Sequence, residues 1–308
     1  MTSTLTQMFL IVLCGSLWSY LKPANLSPQQ TRLVLTNLVY YLFLPALVLN
    51  TIWHTEINAN VFQYSFITIC SISFSLFCIG LLSKLISISK KSLGAMLLAS
   101  AFPNVTYLGL PVLENSLGQW TNAVVIQIDL FATTPFLFTV GVLISRHYGE
   151  ELTKKHILLF FNTPLFWTLA VALALNFFKI STPVIVSNLL TQFTSLVAPL
   201  MIFSLGLTLT VSSFQPRYIY LALPVLIIKL MMMPYFATLC SAYSLLDYSH
   251  QMATILDLGM PSMLLGIVFC EHYKLNTALY ATAAMLTTLF SMVTLPFWHH
   301  VLMQNKLF

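Results

Sequence analysis

Long apolar stretches follow one another through almost the whole chain, and this succession most constrains what the chain can fold into. The chain has 308 residues, of which 58% are hydrophobic and 7% are charged, and its mean hydropathy is +0.87. A soluble domain carries roughly a quarter charged residues, and a water-soluble fold could not cover this much apolar surface. The sequence therefore predicts an all-α integral membrane protein without a separate soluble domain.

Ten of the stretches are long enough to cross a bilayer, which takes about 20 mostly apolar residues. We place the spans at 5–22, 32–54, 61–86, 91–117, 120–146, 158–178, 185–209, 218–245, 249–271 and 277–302. The first lacks a basic n-region and a cleavage site, so we expect it to be retained as a helix. The five cysteines show no C-x-x-C or framework spacing, which is typical of small buried hydrophobic residues.

Lysine and arginine indicate the orientation, because they concentrate in cytoplasmic loops. With the N-terminus outside, the inner loops hold Lys22, Arg32, Lys84, Lys90, Lys91, Arg146, Lys154, Lys155, Arg217 and Lys274. The outer side holds Lys179 and Lys306. This asymmetry predicts an inner (plasma) membrane protein with both termini on the outer, periplasmic side.

A polar loop divides the spans into two sets of five, which predicts repeats at 1–147 and 157–308 joined by a cytoplasmic loop at 148–156. Prolines recur in matching order in the two halves: Pro45 and Pro199, Pro103 and Pro261, and Pro135 and Pro296. Because five is odd, the second half enters the membrane from the opposite side, so the repeat is inverted. Interrupted segments in corresponding positions of inverted halves are the best sequence pointer to a transporter's binding site.

The fourth span is interrupted in its middle, where it reads SAFPNVTYLGLP. Pro103 removes a backbone donor and clashes with the preceding turn, so the helix should break and leave backbone groups that need a cavity or a partner. The half-helix after Asn104 would direct its positive dipole end toward the midplane, where an anion is favoured. Asn104, Thr106 and Tyr107, before Gly109, would add polar contacts; the alternative is that Asn104 only caps the kink.

Three charged residues lie well inside predicted spans, away from the span ends. Asp257 precedes the matching break at Pro261 by about one turn, Lys229 lies in the eighth span, and Asp129 in the fifth. A charge at the bilayer centre costs at least about 2.5 to 3.5 kcal/mol. One interpretation is a structural ion pair between Lys229 and an aspartate. The functional interpretation makes Lys229 the countercharge for an anionic substrate and an aspartate, with Asp257 favoured, the proton-coupling group.

The candidate residues form two sets. The substrate-binding set is Pro103, Asn104, Thr106, Tyr107, Gly109, Pro261, Ser262 and Lys229, and the ion- or proton-coupling set is Asp257 and Asp129. Cys270-Glu271-His272 has no second ligand cluster, so no metal site is predicted. The sequence has no G-x-S-x-G, H-E-x-x-H or P-loop motif and no basic stripe. We therefore expect no enzyme, no cofactor and no nucleic-acid partner, with the lipid bilayer and a small organic anion as partners and a homodimer left open.

These segments also resemble a known family. NVTYLGLP, residues 104–111, is similar to the N-x-G-F/Y-L-G-L-P signature of the auxin efflux carrier family, and 40–49, 198–209 and 261–273 are similar to its second, seventh and ninth spans. The resemblance implies ten helices in two inverted five-helix repeats, with the broken fourth and ninth helices crossing at a central site. It also implies a carboxylate substrate, since bacterial members are permeases for malonate and malate and plant members export auxin. The short middle loop is similar to the bacterial type, whereas Thr106 departs from the signature, which has glycine there.

The function expected from these observations is secondary transport of a small organic anion, such as a mono- or dicarboxylate, by alternating access around the crossed helices. Protons or the substrate gradient would drive it. A sodium-coupled organic anion carrier of the bile-acid type is the alternative within transport. A non-transporting membrane sensor and an intramembrane enzyme are alternatives of other classes, although Asp129 and Asp257 lack the G-x-G-D-like context of aspartyl enzymes.

Overall fold

The computed structural model describes residues 2–54, 59–150, 164–208 and 216–304. Within these ranges the chain is almost entirely helical and contains no β-strand. Five helices are long and apolar enough to cross a membrane: Asn60–Leu85, Thr121–Tyr148, Val184–Ser204, Ile219–Ser241 and Thr277–Met303. Shorter apolar helices accompany them at Phe9–Leu21, Tyr41–His54 and Phe166–Phe177. The predicted all-α membrane fold is confirmed at this level, while most of the predicted connecting loop and the start of the sixth span lie outside the described residues.

The helices are numbered in chain order. They are α1 (Thr2–Leu21), α2 (Pro28–Leu38, Val39–Phe43 and Leu44–His54), α3 (Asn60–Leu85), α4 (Lys90–Ala101), α5 (Val105–Gly109 and Leu110–Leu117), α6 (Thr121–Tyr148), α7 (Pro164–Phe177), α8 (Val184–Thr208), α9 (Ile219–Ser241), α10 (Tyr248–Leu258), α11 (Leu265–His272) and α12 (Thr277–Met303). The predicted fourth span is therefore two helices, α4 and α5, and the predicted ninth is α10 and α11. The interruptions lie where Pro103 and Pro261 predicted them.

Four prolines widen the helices that contain them. Each stands two residues after a π-helical turn; they are Pro45, Pro111, Pro135 and Pro234. Proline lacks an N–H group and its ring clashes with the carbonyl four residues back, so the preceding residue donates to the carbonyl five back, as Thr134 does to Asp129. Turns of this kind frequently occur at functional sites. Thr106, Asp129 and Lys229 all lie in them.

The described helices pack in two groups. In the first, α1 lies along α8 and α2 packs against α7 and α8. In the second, α3 packs against α4 and α9, and α12 packs against α4 and α9, with α6 and α10 completing the group. The half-helix α5 lies between the groups, because it contacts α6 and α10 on one side and α1 and α8 on the other. Any movement of one group against the other would therefore act on α5.

The pair α1 and α8 packs closely because each helix presents a glycine. A Cβ atom on Gly15 would lie 2.2 Å from the Phe203 carbonyl oxygen, and one on Gly206 would lie 2.2 Å from the Val12 carbonyl oxygen. The Ser16 hydroxyl donates to the Gly206 carbonyl at 3.1 Å. Small residues allow membrane helices to approach in this way, since lipid tails provide no hydrophobic force to drive them together.

An exposed ion-pair cluster joins residues of the two halves at one end of the helices. Glu150, after α6, accepts from Lys91 of α4 and from Lys274, after α11, each at 2.9 Å. The two ammonium groups lower the pKa of the Glu150 carboxyl to about 2. The Glu150 N–H also donates to the Tyr273 carbonyl at 2.9 Å. Because exposed ion pairs are screened by solvent, this cluster serves more to set the register of these loops than to stabilise the fold.

Replacing Gly206 by alanine should destabilise the protein, because the added methyl group meets backbone that cannot rotate away. We expect a loss of about 1–3 kcal/mol, the usual range for overpacking, measured as a lower melting temperature in detergent. Gly80→Ala is the matched control, since a Cβ atom on Gly80 has no atom within 4 Å. Equal melting temperatures for the two variants would contradict the close packing of α1 and α8.

Candidate functional site at the meeting of two broken helices

The two helix breaks pair with each other through their backbones. The Asn104 N–H donates to the Pro261 carbonyl at 2.8 Å, and the Met263 N–H donates to the Phe102 carbonyl at 2.9 Å. Together these bonds form an isolated antiparallel bridge between Pro103 and Ser262. Backbone groups without a partner are expensive inside a membrane. Each break therefore supplies part of what the other lacks.

Polar side chains from α12 hold the second break. The Ser262 hydroxyl donates to the Ala99 carbonyl at 2.7 Å, and the Ser262 N–H donates to the Thr287 hydroxyl at 3.2 Å. The Tyr280 hydroxyl donates to the Met263 carbonyl at 2.5 Å. Sequence reasoning found Ser262 but missed Tyr280 and Thr287, since a hydroxyl inside a regular apolar helix gives no local signal of what it contacts.

Gly266 makes room for the tyrosine of this network. A Cβ atom there would lie 2.0 Å from the Tyr280 hydroxyl oxygen. The tyrosine is fully buried, and its ring lies against the start of α11. A buried tyrosine needs a partner for its hydroxyl, so Gly266 and the Met263 carbonyl together determine where the ring can lie.

Asn104 is a buried amide without a hydrogen-bond partner. Its side chain is 1% exposed, and neither Oδ1 nor Nδ2 is paired within the described residues. Its side chain makes no capping bond to α5, while its carbonyl accepts from the Leu108 and Gly109 N–H groups at 3.3 and 3.1 Å. An unpaired buried polar group costs about 1–3 kcal/mol. Its position before the N–H groups that begin α5 makes it available to a polar ligand.

Asp257 is the second buried group without a partner. The residue is 0% exposed, and neither carboxylate oxygen accepts a hydrogen bond within the described residues. Its Oδ1 atom lies against Gly109 of α5, where a Cβ atom would approach it to 2.1 Å. Gly109 thus allows the carboxylate of α10 to contact the backbone of the half-helix. An intramembrane carboxylate of this kind is by default a candidate functional group.

Lys229 lies beside Asp257 without forming an ion pair. Its side chain is 0% exposed, and Nζ donates to the Leu258 carbonyl at 3.3 Å and to the Met233 sulfur at 2.9 Å. The described residues place no carboxylate within ion-pair distance of Nζ, although Asp257 is near enough to interact electrostatically. The direct ion pair that the sequence left open is therefore absent from this conformation.

Asp129 differs from Asp257, because hydroxyl groups occupy both of its oxygens. Oδ1 accepts from the Thr134 hydroxyl at 2.7 Å, and Oδ2 accepts from the Thr106 hydroxyl. Thr106 is 5% exposed and its hydroxyl is directed at α6. Thr134 carried no sequence signal of its own; the proline that follows it produces the wide turn that brings it over Asp129.

The remaining predicted residues belong to the same neighbourhood. Pro103 and Pro261 are buried at the bridge, and Tyr107 is half-buried on α5, one residue after Thr106. The predicted residues therefore surround α5. The backbone bridge lies at its start, Asp129 accepts a hydrogen bond from Thr106, and Asp257 packs against Gly109. Lys229 lies on the far side of Asp257 and donates to the Leu258 carbonyl. Chemically, this arrangement offers an amide at the start of α5, a carboxyl group against Gly109 and the amine of Lys229 beside Leu258.

A comparison with known families gives the class of protein. The model of the family described as membrane transport protein matches residues 1–159 and 150–299. The chain belongs to this family. It is the auxin efflux carrier family, which the segment 104–111 resembles. As a member of this family, the protein is a transporter that lies in the lipid bilayer, and it is not an enzyme.

Two archaeal relatives agree with this membership. An uncharacterized transporter of Methanocaldococcus jannaschii is 24% identical over 304 residues, which cover 96% of this chain and 97% of the relative. An uncharacterized transporter of Methanothermobacter thermautotrophicus is 26% identical over 314 residues, which cover 98% of each chain. The similarity extends over both halves of the membrane transport protein, including the two breaks.

Gly109→Ala should destabilise the site through Asp257, because the new methyl group would lie on the carboxylate oxygen. We expect a loss of about 1–3 kcal/mol, measured as a lower melting temperature in detergent. Asp257→Ala removes the obstructing group, so the double variant should lose less than the sum of the two single variants. Strict additivity would show that Gly109 and Asp257 do not contact each other.

Proposed function

We propose that this transporter is a secondary active carrier of a small organic anion, such as a mono- or dicarboxylate, coupled to protons. The observation that carries the proposal is the group of buried polar side chains at the paired breaks. Among the described residues, the Asn104 amide and the Asp257 carboxyl have no hydrogen-bond partner, and the Lys229 amine lies near Asp257 without an ion pair. Such groups are retained inside a membrane where a solute or a proton uses them.

The anion is drawn to the site by two sources of positive potential. The first turn of α5 has N–H groups that no helical carbonyl accepts, and its dipole favours negative charge. Asn104 adds an amide donor at that point, and Lys229 adds a positive charge when its amine is protonated. A carboxylate that bridges Lys229 and the start of α5 would satisfy both, with Tyr107 at the edge of the site.

Charge balance supports proton coupling. With all three ionised, Asp129, Asp257 and Lys229 carry two negative charges and one positive charge. An organic anion would add a further negative charge to a region of low dielectric constant, where uncompensated charge is expensive. A proton on Asp257 removes one negative charge without needing space, and Oδ1 is packed against Gly109. Anion and proton therefore bind together more favourably than the anion alone.

Movement follows from the inverted repeat that we propose for residues 1–147 and 157–308, with 148–156 as the cytoplasmic connection. In this interpretation the ten spans place both termini on the periplasmic side of a bacterial-type inner membrane. The two helix groups alternate about the pairing of the breaks, so the site opens to one side at a time. The position of α5 between the groups supports this, since it contacts both of them.

A carboxylate that binds the folded protein should raise its melting temperature in proportion to occupancy. We expect malonate, succinate or acetate to stabilise the wild type in a thermal-shift panel, whereas neutral and cationic solutes of similar size should not. Lys229→Gln should reduce this ligand-dependent shift more than it reduces stability without ligand. Lys84→Gln, an exposed lysine at the end of α3, is the control. Stabilisation by a neutral or cationic solute alone would overturn the anion assignment.

The coupling role of Asp257 can be tested by measuring carboxylate uptake into proteoliposomes while a pH gradient is imposed across their membrane. Wild-type uptake of the stabilising carboxylate should rise with the proton gradient and should not depend on sodium. Asp257→Asn should abolish the response to the gradient, because asparagine cannot exchange a proton. Asp247→Asn, at an aspartate whose side chain is 58% exposed, should preserve it. Sodium-dependent uptake would favour the bile-acid type of mechanism, and an unchanged response in Asp257→Asn would reject the assignment.

A further inference from the structure

Three side chains form a hydrogen-bonded group between α5 and α6, which we call the aspartate brace: Thr106, Asp129 and Thr134. Asp129 accepts one hydrogen bond from Thr134 of its own helix at 2.7 Å and one from Thr106 of the half-helix. Both carboxylate oxygens are therefore occupied. The brace ties α5 to the middle of α6, at the level of the paired breaks.

The brace depends on the π turn in α6. In a regular α-helix, residues five apart lie on different faces, but a π turn places residue i+5 over residue i. Pro135 cannot donate to the carbonyl of residue 131, and the turn Asp129–Thr133 widens before it. Thr134 consequently contributes both its N–H, to the Asp129 carbonyl, and its hydroxyl, to the Asp129 carboxylate. The carboxylate thus has a fixed orientation toward α5.

The brace lies next to the carboxylate of Asp257. Thr106 and Gly109 both lie in the π turn that begins α5. Asp129 is bound to the first and Asp257 is packed against the second. Their charges interact. Within the described part of the chain, Asp129 receives two donated hydrogen bonds and Asp257 receives none.

Donated hydrogen bonds stabilise the ionised form of a carboxylate, whereas burial without a donor favours the neutral form. The packing of α10 leaves few other charges to consider. Among the described residues, Asp129 of α6 and Lys229 of α9 interact electrostatically with Asp257. The other helices packed on α10 are α3, α5 and α12, and their acidic and basic side chains lie near their ends: Lys84, Glu114, His299 and His300. Asp129 is therefore the group of like charge that acts on Asp257.

We propose that Thr106 is a positioning residue that holds Asp129 as a fixed anion, and that this anion sets the pH range in which Asp257 exchanges its proton. The inference rests on the proposed proton coupling. Thr106 then does not bind the substrate, because its hydroxyl is donated to Asp129. The two hydroxyl donors favour the ionised form of Asp129, whereas Asp257 has no such donor among the described residues. Asp257 alone of the two aspartates carries the coupling proton.

The test is an infrared titration of the purified protein, which needs no substrate. The protonated carboxyl band that Asp257→Asn removes reports Asp257, and its midpoint is measured as the pH is varied. Thr106→Val removes the hydroxyl at nearly constant volume and leaves Asp129 with one donor, so less negative charge remains beside Asp257. We expect the midpoint to move to lower pH by about half a unit or more, a change of the size that one hydrogen bond to a charged group produces.

Two variants serve as controls. Thr106→Ser keeps the donor and should restore the wild-type midpoint. Thr139→Val removes an exposed hydroxyl of α6 that donates to the carbonyls of Pro135 and Phe136, at 2.8 and 3.2 Å, and should leave the midpoint in place. If Thr106→Val does not fold, Thr134→Val removes the other donor and should shift the midpoint in the same direction.

The outcomes separate this role from the proposed function. An unchanged midpoint in a folded Thr106→Val or Thr134→Val protein overturns the positioning role, even if uptake is driven by protons. A weaker thermal shift with carboxylates in Thr106→Val, without a change in the midpoint, would make Thr106 a substrate ligand instead. A shifted midpoint in a protein whose uptake ignores the pH gradient would preserve the brace and reject the proposed coupling.

Discussion

The pairing of the two helix breaks is the constraint on which the rest of the site depends. Proline at 103 and at 261 interrupts helices that would otherwise satisfy their own backbones, and a membrane offers no water to replace the lost bonds. The hydrogen bonds from the Asn104 N–H to the Pro261 carbonyl and from the Met263 N–H to the Phe102 carbonyl pair backbone groups of one break with those of the other. They also bring residues from opposite ends of the sequence together, so a single contact places α5 against α10.

The three charged side chains around this contact differ in how many hydrogen-bond partners they have. Asp129 is satisfied by two hydroxyl groups, Lys229 by a carbonyl and a sulfur atom, and Asp257 by no hydrogen-bond donor of the described residues. A fully satisfied network would rigidify the site, and an unsatisfied one would destabilise the fold. The intermediate arrangement leaves one carboxyl group and one amide free to respond to a proton or a solute. Both free groups lie where the two helix breaks pair.

Much of the fold could be predicted because a bilayer imposes its own length on each helix. The predicted spans at 61–86 and 277–302 correspond closely to Asn60–Leu85 and Thr277–Met303, and the breaks occur at the predicted prolines. The partners of the polar residues could not be predicted. Tyr280 and Thr287 are ordinary members of an apolar helix in sequence, and only the packing of α12 against the second break directs their hydroxyls to it.

Thr106 shows the difference most clearly. By itself the sequence determined that this chain is an all-helical membrane protein, that two of its helices are interrupted, and that charged groups lie inside spans, because hydropathy and proline act locally. It also carried the resemblance of residues 104–111 to a transporter family. Only the tertiary structure decided that the Thr106 hydroxyl is donated to Asp129, that Gly109 admits Asp257, and that Lys229 remains out of ion-pair contact. These outcomes depend on how α5, α6, α9 and α10 approach one another, and no local pattern encodes a distance between helices that are far apart in sequence.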